Sequence, residues 1–550
     1  MRKCKRGSFA GWLGVTVALS LCVVEIAKAE PRAGGGRRLQ GPIVNLAADA
    51  MFECLVPPFR IQEATPKEKL VAAYEELVDY YAQADVPYLF FNVNYQRTAY
   101  RSRVWDAYWD NDDPSRLTGW PRLAWLVYRR GVDPYAVCLR RCRQRGISPW
   151  LSVRMNDTHY NNDPMKTSRL WQKHPELRRV PDNRWYCGFD FAHLRVRDYY
   201  LALIEELLAR YDCDGVELDW MRFPHHFKPG REAAGCEHLN SFMRRVRQLA
   251  DAASARRGRP VRVAARIPAV PQFARGLGMD GVAWAREELV DMLILSPEWR
   301  PSDTDIPIER WRELMGAAGQ RLSLVAATDL WLQGTPGGKV LADDLESQCG
   351  FTAAMLNRGA DGIYLFNHFN RNDFRRVETL PDGRKIERNE HQALLRTAGR
   401  MDRALAAPRR HVVTFHHPAP RHMPNPTQLP ATVSVDAPAV IEIDIGPEPR
   451  SGRAVLRVGL DHRPGMSAAK LAAWANSINC TPIEDLTAPA GCKPNPQHRQ
   501  RVFHVACVAA RMLQFNVPVH ALQPGRNAVK LLLQRGEPQR IIWLEMYLVP

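Results

Sequence analysis

The segment Asp214-Gly215-Val216-Glu217-Leu218-Asp219-Trp220-Met221-Arg222-Phe223-Pro224 places two carboxylates at alternate positions of an apolar run. In an extended chain the period of two puts Val216 and Leu218 on one face and Glu217 and Asp219 on the other. If Val216 and Leu218 pack on helices outside a barrel, both acids point into its lumen, with Asp219 nearer the C-terminal end. Two carboxylates on one buried face are costly unless they are paired or used. Arg154 and Arg266, on the runs expected to flank this strand, could hold them in a salt-bridge network. The other use is glycoside hydrolysis, which needs two carboxyl groups across the scissile bond, about 5 Å apart for retention and about 6.5 to 9.5 Å for inversion. The second acid must then come from another strand end. Glu298, in Leu295-Ser-Pro-Glu-Trp299, and Asp329, in Ala327-Thr-Asp-Leu-Trp331, both follow apolar runs. Glu298 has the longer reach and an adjacent tryptophan, so it ranks first as acid/base, with Asp329 behind it. Asp219, Glu298 and Glu217 are the catalytic candidates.

Sugar rings bind by laying their apolar faces on flat side chains, so tryptophans near strand ends add a second signal. Of 15 tryptophans, 12 lie between Trp105 and Trp331. Trp220, Trp299 and Trp331 each fall within two residues of a candidate acid and are the expected platforms. Trp125, Trp284 and Trp311 lie on helical patterns and are expected in the core. Arg154, Asn156, Arg222, Arg266, Asn367, His368 and Asn94 lie near strand ends where they could bind hydroxyls, as does Asn92.

These residues need a scaffold that brings strand ends together. Between about residues 40 and 405, short apolar runs alternate with amphipathic helical patterns, the rhythm of a parallel sheet with crossover helices. The expected strands are Pro87 to Asn94, Pro149 to Met155, Gly215 to Asp219, Val261 to Ile267, Asp291 to Leu295, Leu322 to Thr328 and Gly362 to Phe366. An earlier strand is expected near Ile43 to Ala47 or Phe52 to Val56. Eight strands over this length fit a (β/α)8 TIM barrel, residues 38–405, whose active site lies at the C-terminal strand ends. No GxGxxG or phosphate-binding loop follows any strand, which argues against a doubly wound nucleotide-binding sheet. Asp214-Gly-Val-Glu-Leu is echoed by Asp361-Gly-Ile-Tyr-Leu, and both aspartates are expected to cap turns on the opposite, structural face. Residues 371–389, charged and Gly/Pro-punctuated, are expected to form a surface loop. Beyond about residue 408, Pro-rich turns and alternating segments predict an antiparallel β-sandwich, residues 409–550. Its expected segments include 431–445, 453–460, 502–508, 527–533 and 540–549, with one helix near 467–475. A structural role suits it better than sugar binding, because Trp474 and Trp543 make no aromatic strip.

The N-terminus has Arg2, Lys3, Lys5 and Arg6, then an apolar stretch from Trp12 to Val24, then Ala27-Lys28-Ala29. That is the pattern of a cleaved signal peptide over residues 1–29, implying export to the periplasm or the exterior without lasting membrane insertion. The formal charge of +17 falls to +13 once that segment's five bases and one acid are removed. Bases and acids are interleaved along the rest, so a nucleic-acid-binding stripe is not expected. None of the 12 cysteines shows CxxC spacing, so no metal cluster is expected. Cys480 with Cys492 is the expected local disulfide, and Cys138 and Cys142 are expected as buried thiols.

The stretch Phe189-Asp-Phe-Ala-His-Leu-Arg-Val-Arg-Asp-Tyr-Tyr200, leading through Leu207 to Asp219, resembles the glycosyl hydrolase-like family 10 proteins. Asp190, His193, Arg197, Asp198, Asp214 and Asp219 match the family's pattern, and Asp219 falls at its strand-end acid. After Asp219 this chain reads Trp220-Met221-Arg222, where many relatives continue with a second acid or an aromatic pair. The resemblance covers residues 187–224 strongly and 85–370 more loosely, and is absent from the C-terminal region. It implies a TIM-barrel, carbohydrate-active protein of the cell envelope or exterior. The expectation is an exported glycoside hydrolase acting on a polysaccharide or oligosaccharide without metal or organic cofactor. The alternative is a non-catalytic glycan-binding or scaffold protein on the same barrel.

Overall fold

A computed structural model describes residues 38–550 apart from 57–58, 111–112, 182–186, 299–300, 370–374, 380–384, 417–426 and 490–500. The expected signal peptide, Trp185, Trp299 and Cys492 lie outside the described residues.

Eight parallel strands close into a barrel: β1 (Ile43–Leu46), β2 (Tyr88–Asn92), β3 (Ser148–Arg154), β4 (Gly215–Asp219), β5 (Arg262–Pro268), β6 (Met292–Ser296), β7 (Ser323–Thr328) and β8 (Gly362–Leu365). They neighbour one another in sequence order, and β1 pairs with β8 to complete the ring. Of the two sites considered for the first strand, 43–46 is correct; residues 50–53 form a helical turn. Val216 and Leu218 face outward into the large core under the helices, as the alternation requires. The inward residues stack in layers. Phe90, Trp150, Ile294, Val325 and Tyr364 belong to an apolar cluster inside the barrel. Gly215 is needed there, because a Cβ at that position would lie 2.3 Å from the Trp150 ring. Asp214 accepts from Ser148, Arg143 and Arg259, and Asp361 from the Leu324 backbone N–H and Arg312, which places both at the N-terminal, structural ends of their strands.

Nine antiparallel strands follow: 409–412, 431–433, 439–444, 453–460, 470–475, 478–483, 511–517, 526–535 and 539–549. Strand 478–483 pairs with 470–475 through its first half and with 511–517 through its second, so the sheet turns over on itself to form two layers. The aliphatic core lies between them. Four expectations are corrected here. Residues 470–475 are a strand, because every second residue of Lys-Leu-Ala-Ala-Trp-Ala is buried, the period of a half-covered strand and not of a helix. Of 502–508, only Val502 is extended, in the two-residue strand 501–502 that pairs in parallel with Val340 and Leu341 of the barrel region. Residues 375–379 and 385–389 form a hairpin where a loop was expected. Cys480 is a free, buried thiol, while Cys507 is disulfide-bonded.

The sandwich is seated on the barrel. Helix 345–357 lies so close to strand 409–412 that a Cβ on Gly350 would fall 2.0 Å from the Arg410 carbonyl oxygen. Arg410 reaches Glu346 at 2.7 Å, and Tyr547 donates to the same carboxylate at 2.9 Å. Among the described residues, no helix is long and apolar enough to cross a membrane, and no group of three or more His, Cys, Asp or Glu side chains could hold a metal ion.

Candidate active site

The register of β3, β4 and β5 sets Arg154 beside Asp219 and Asp219 beside Arg266 in one layer at the C-terminal end of the barrel. Arg266 donates to Asp219 Oδ1 at 2.8 Å, and the Met221 backbone N–H donates to the same oxygen at 3.1 Å. Asp219 Oδ2 is buried and makes no hydrogen bond among the described residues. The Arg266 guanidinium also lies 3.8 Å from the Phe366 ring centroid, and its Nε donates to Ser296 Oγ at 3.2 Å. Arg154, the other flanking arginine, turns instead to Asp157 at 3.1 Å and over the Tyr95 ring at 4.0 Å. The pairing foreseen for two arginines is therefore made by Arg266 alone.

One layer below, Glu217 accepts from Tyr364 Oη at 2.6 Å and from Asn45 Nδ2 at 3.1 Å. Burial first, and then the charge of Asp219, push its carboxyl up to about 7. It is thus held among neutral donors beneath a charged neighbour, the combination that favours a retained proton.

The loop after β3 supplies a group the sequence reading missed. His159 Nδ1 lies 2.9 and 3.0 Å from the two oxygens of Asp157, and Arg222 Nη2 lies 2.9 Å from His159 Nε2. Because guanidinium can only donate, Nε2 must accept, and the proton sits on Nδ1 facing Asp157. Burial works to raise the Asp157 carboxyl, but His159, Arg154 and Arg222 outweigh it and hold it at about 2. Burial, then Arg154 and Arg266, lower Arg222 to about 10, with Asp157 and Asp219 opposing. The backbone just beyond is strained: Phe223 has φ +59°, a left-handed conformation costing of order 1–3 kcal/mol for a bulky residue. Asn156 offsets this by donating to the His225 carbonyl at 2.9 Å, and His226 donates to the Trp220 carbonyl at 3.1 Å. An Asp-x-His pair just past a strand end was the available signal, but its partner Arg222 is 63 residues away in sequence. Nitrogen NMR of His159, assigned with His159→Gln, should show the neutral Nδ1–H tautomer at pH 7. Burial lowers its titration below the ordinary 6.5. An imidazolium at pH 7 would refute this geometry.

At the end of β7, Asp329 is buried and accepts from Asn367 Nδ2 at 3.1 and 3.3 Å and from the Leu330 N–H at 2.7 Å. Burial raises its carboxyl above the ordinary range against those bonds. Asn367 takes up this position with φ +64°. Glu298 lies two residues past β6 and is half-buried.

Several expected sugar contacts lie elsewhere. Trp220 is fully buried on the outer face of the barrel, packed on Phe191, His226 and Phe242, because it continues the outward alternation of Val216 and Leu218. Trp331 is also buried, paired with Ala342. Asn94 is consumed by the Arg154 and Tyr95 backbone, and Asn156 by Phe189 and His225. Asn92 likewise bonds the backbone of Ala48 and Ser152. His368 is buried against Asp343 at 2.9 Å and the Phe366 carbonyl. These polar residues tie loops to strands. Trp284 and Trp311 are core, as expected, and Trp125 is half-buried beside Arg129.

No family model matches the chain, and no curated protein matches it. Solved structures do. A cycloisomaltooligosaccharide glucanotransferase from Paenibacillus sp., complexed with cycloisomaltoheptaose, is 11% identical with a TM-score of 0.32, covering 92% of this chain and 57% of that one. Alpha-L-fucosidase isoenzyme 2 from Paenibacillus thiaminolyticus is 14% identical with a TM-score of 0.37, covering 66% and 49%. The noncanonic maltogenic alpha-amylase AmyB from Thermotoga neapolitana is 11% identical with a TM-score of 0.35, covering 92% and 99%. This chain spans about half the length of the first two. All three of these neighbours are enzymes that act on glycosides.

Proposed function

We propose that this chain is an exported glycoside hydrolase in which Asp219 is the nucleophile or charge-stabilising carboxylate. The observation that carries the reading is the state of that side chain. Arg266 and a backbone N–H fix one oxygen, while the other is buried at the barrel's C-terminal end with no hydrogen bond among the described residues. A buried, unsatisfied carboxylate oxygen is expensive and calls for an explanation. An anomeric carbon developing positive charge is a partner that would repay that cost. Glu298 is the proton donor to the glycosidic oxygen, two residues past Ser296, whose Oγ accepts from Arg266. Asp329, whose raised carboxyl favours keeping a proton, is the second candidate for that role. Trp299 remains a proposed platform, and Arg222 and Arg266 steady the charge of Asp219. The likeness of residues 187–224 to the glycosyl hydrolase-like family 10 proteins agrees with this assignment.

The test is a screen of the purified secreted protein against bacterial and algal polysaccharides, reading new reducing ends. Cleavage by the parent and none by Asp219→Asn supports the reading. Once a substrate is found, Glu298→Gln and Asp329→Asn separate the two donors, because loss of the true donor removes the basic limb's dependence on a proton. Retention of one glycan by parent and variant alike, without cleavage, sinks the enzyme reading and makes the barrel a glycan-binding scaffold.

A further inference from the structure

The loop between β6 and helix 308–315 carries Glu298, and it is anchored at both ends. Before Glu298, Ser296 Oγ accepts from Arg266, the residue that holds Asp219. After it, Ser302 N–H donates to the Trp331 carbonyl at 2.6 Å, and Ser302 Oγ accepts from the Asp329 N–H at 2.9 Å. The next three residues are held from the sandwich side. Asp303, 1% exposed, meets His416 Nδ1 at 2.7 Å. Thr304 N–H donates to Thr414 Oγ1 at 2.9 Å, and Thr304 Oγ1 donates to the Val412 carbonyl at 2.6 Å. Asp305 accepts from Arg526 at 2.8 Å and from Arg358 of the barrel at 2.5 Å. Asp303, with help from Asp305, pushes His416 up to about 9 against burial and Arg358, so the contact is an ion pair at neutral pH.

Three consecutive loop residues engaged by two separate segments of another domain, 412–416 and Arg526, is more than seating that domain requires. A buried pair adds little net stability, since desolvation offsets its attraction, but it fixes geometry closely. We propose that the C-terminal domain is part of the catalytic apparatus, with His416, Thr414 and Arg526 as positioning residues that hold residues 302–305 and, through Ser302, the Asp329 end of β7. The inference rests on the reading of Glu298 or Asp329 as proton donor. It gives the sandwich a task other than glycan capture, and it needs no sugar-binding surface on that domain.

Hydrogen exchange and steady-state kinetics on the full secreted chain test it, using His416→Ala, His416→Lys and, as a milder change, Thr414→Val. In His416→Ala, amide protection of residues 302–305 should fall about tenfold or more, while protection in β1–β8 and in the sandwich strands is unchanged. On a substrate found by the screen, kcat should fall about tenfold or more with KM little changed, the mark of a displaced catalytic group. His416→Lys, which keeps the cation, should restore both, and Thr414→Val should show a smaller loss of each. Unchanged protection at 302–305 overturns the clamp, and lost protection with full kcat overturns the positioning role. If the parent cleaves nothing, the glycosidase reading fails on its own terms. The exchange data still decide whether the domain holds the loop.

Discussion

Asp219→Asn should leave a folded chain whose turnover falls by about three orders of magnitude, within the range seen when one essential acid or base is removed. Asparagine is the informative change because its carbonyl oxygen still accepts from Arg266 and from the Met221 N–H, so both bonds now made to Oδ1 survive. What is lost is the charge and the nucleophilicity of the second oxygen. Asp219→Ala would confound the result: Arg266 is 1% exposed, and removing its carboxylate leaves a buried cation unpaired, a cost of about 3–5 kcal/mol. The check is kcat on the screened substrate together with the thermal midpoint of both variants. A full-rate Asp219→Asn enzyme would remove Asp219 from the chemistry. Equal midpoints for the Asn and Ala variants would show that the hydrogen bonds from Arg266 and the Met221 N–H contribute no stability.

The barrel was legible because its rule is periodic. Gly215 to Asp219 could be placed to the residue, since apolar alternation between a structural aspartate and a strand-end acid leaves one register in which Val216 and Leu218 face the helices. The same logic correctly turned Glu217 and Asp219 inward. It also contained the means to reject Trp220, which carries on the outward phase; nearness in sequence to an acid was the wrong criterion, because a one-residue step on a strand changes the face. The polar residues near strand ends were harder to read. Asn94 and Asn156 lie where hydroxyl-binding groups would lie, but a loop's backbone donors and acceptors must be satisfied first, and those two amides are spent on that. The relay from Asp157 through His159 to Arg222, and the clamp from Asp303 to His416, join residues 63 and 113 apart in sequence. Neither long contact has a local pattern, because one is made by loop closure and the other by domain docking.

Glu217→Gln should separate the two acids of β4 by their dependence on pH. Burial and the charge of Asp219 raise Glu217 from 4.5 to about 7, so between those values the folded chain keeps a proton that the unfolded chain has released. Folding is therefore favoured by this group at low pH, and the favour is lost as pH rises through about 7. Above neutrality the wild type therefore carries a penalty for ionising this buried group. Glutamine has no proton to lose. Its carbonyl can accept from Tyr364 Oη, while its amide takes the place of Oε2, so the bond from Asn45 Nδ2 is lost. The variant should thus fall short of wild type at pH 5 by about one hydrogen bond and gain on it steadily as pH rises to 8, measured by denaturant midpoints across that range. Its turnover should stay within a few-fold, because a neutral Glu217 leaves Asp219 as the single charged carboxylate of the strand. A pH-independent stability difference would show that Glu217 is ionised in the folded chain. A folded Glu217→Gln as inactive as Asp219→Asn would move Glu217 from supporting the nucleophile to taking part in the reaction.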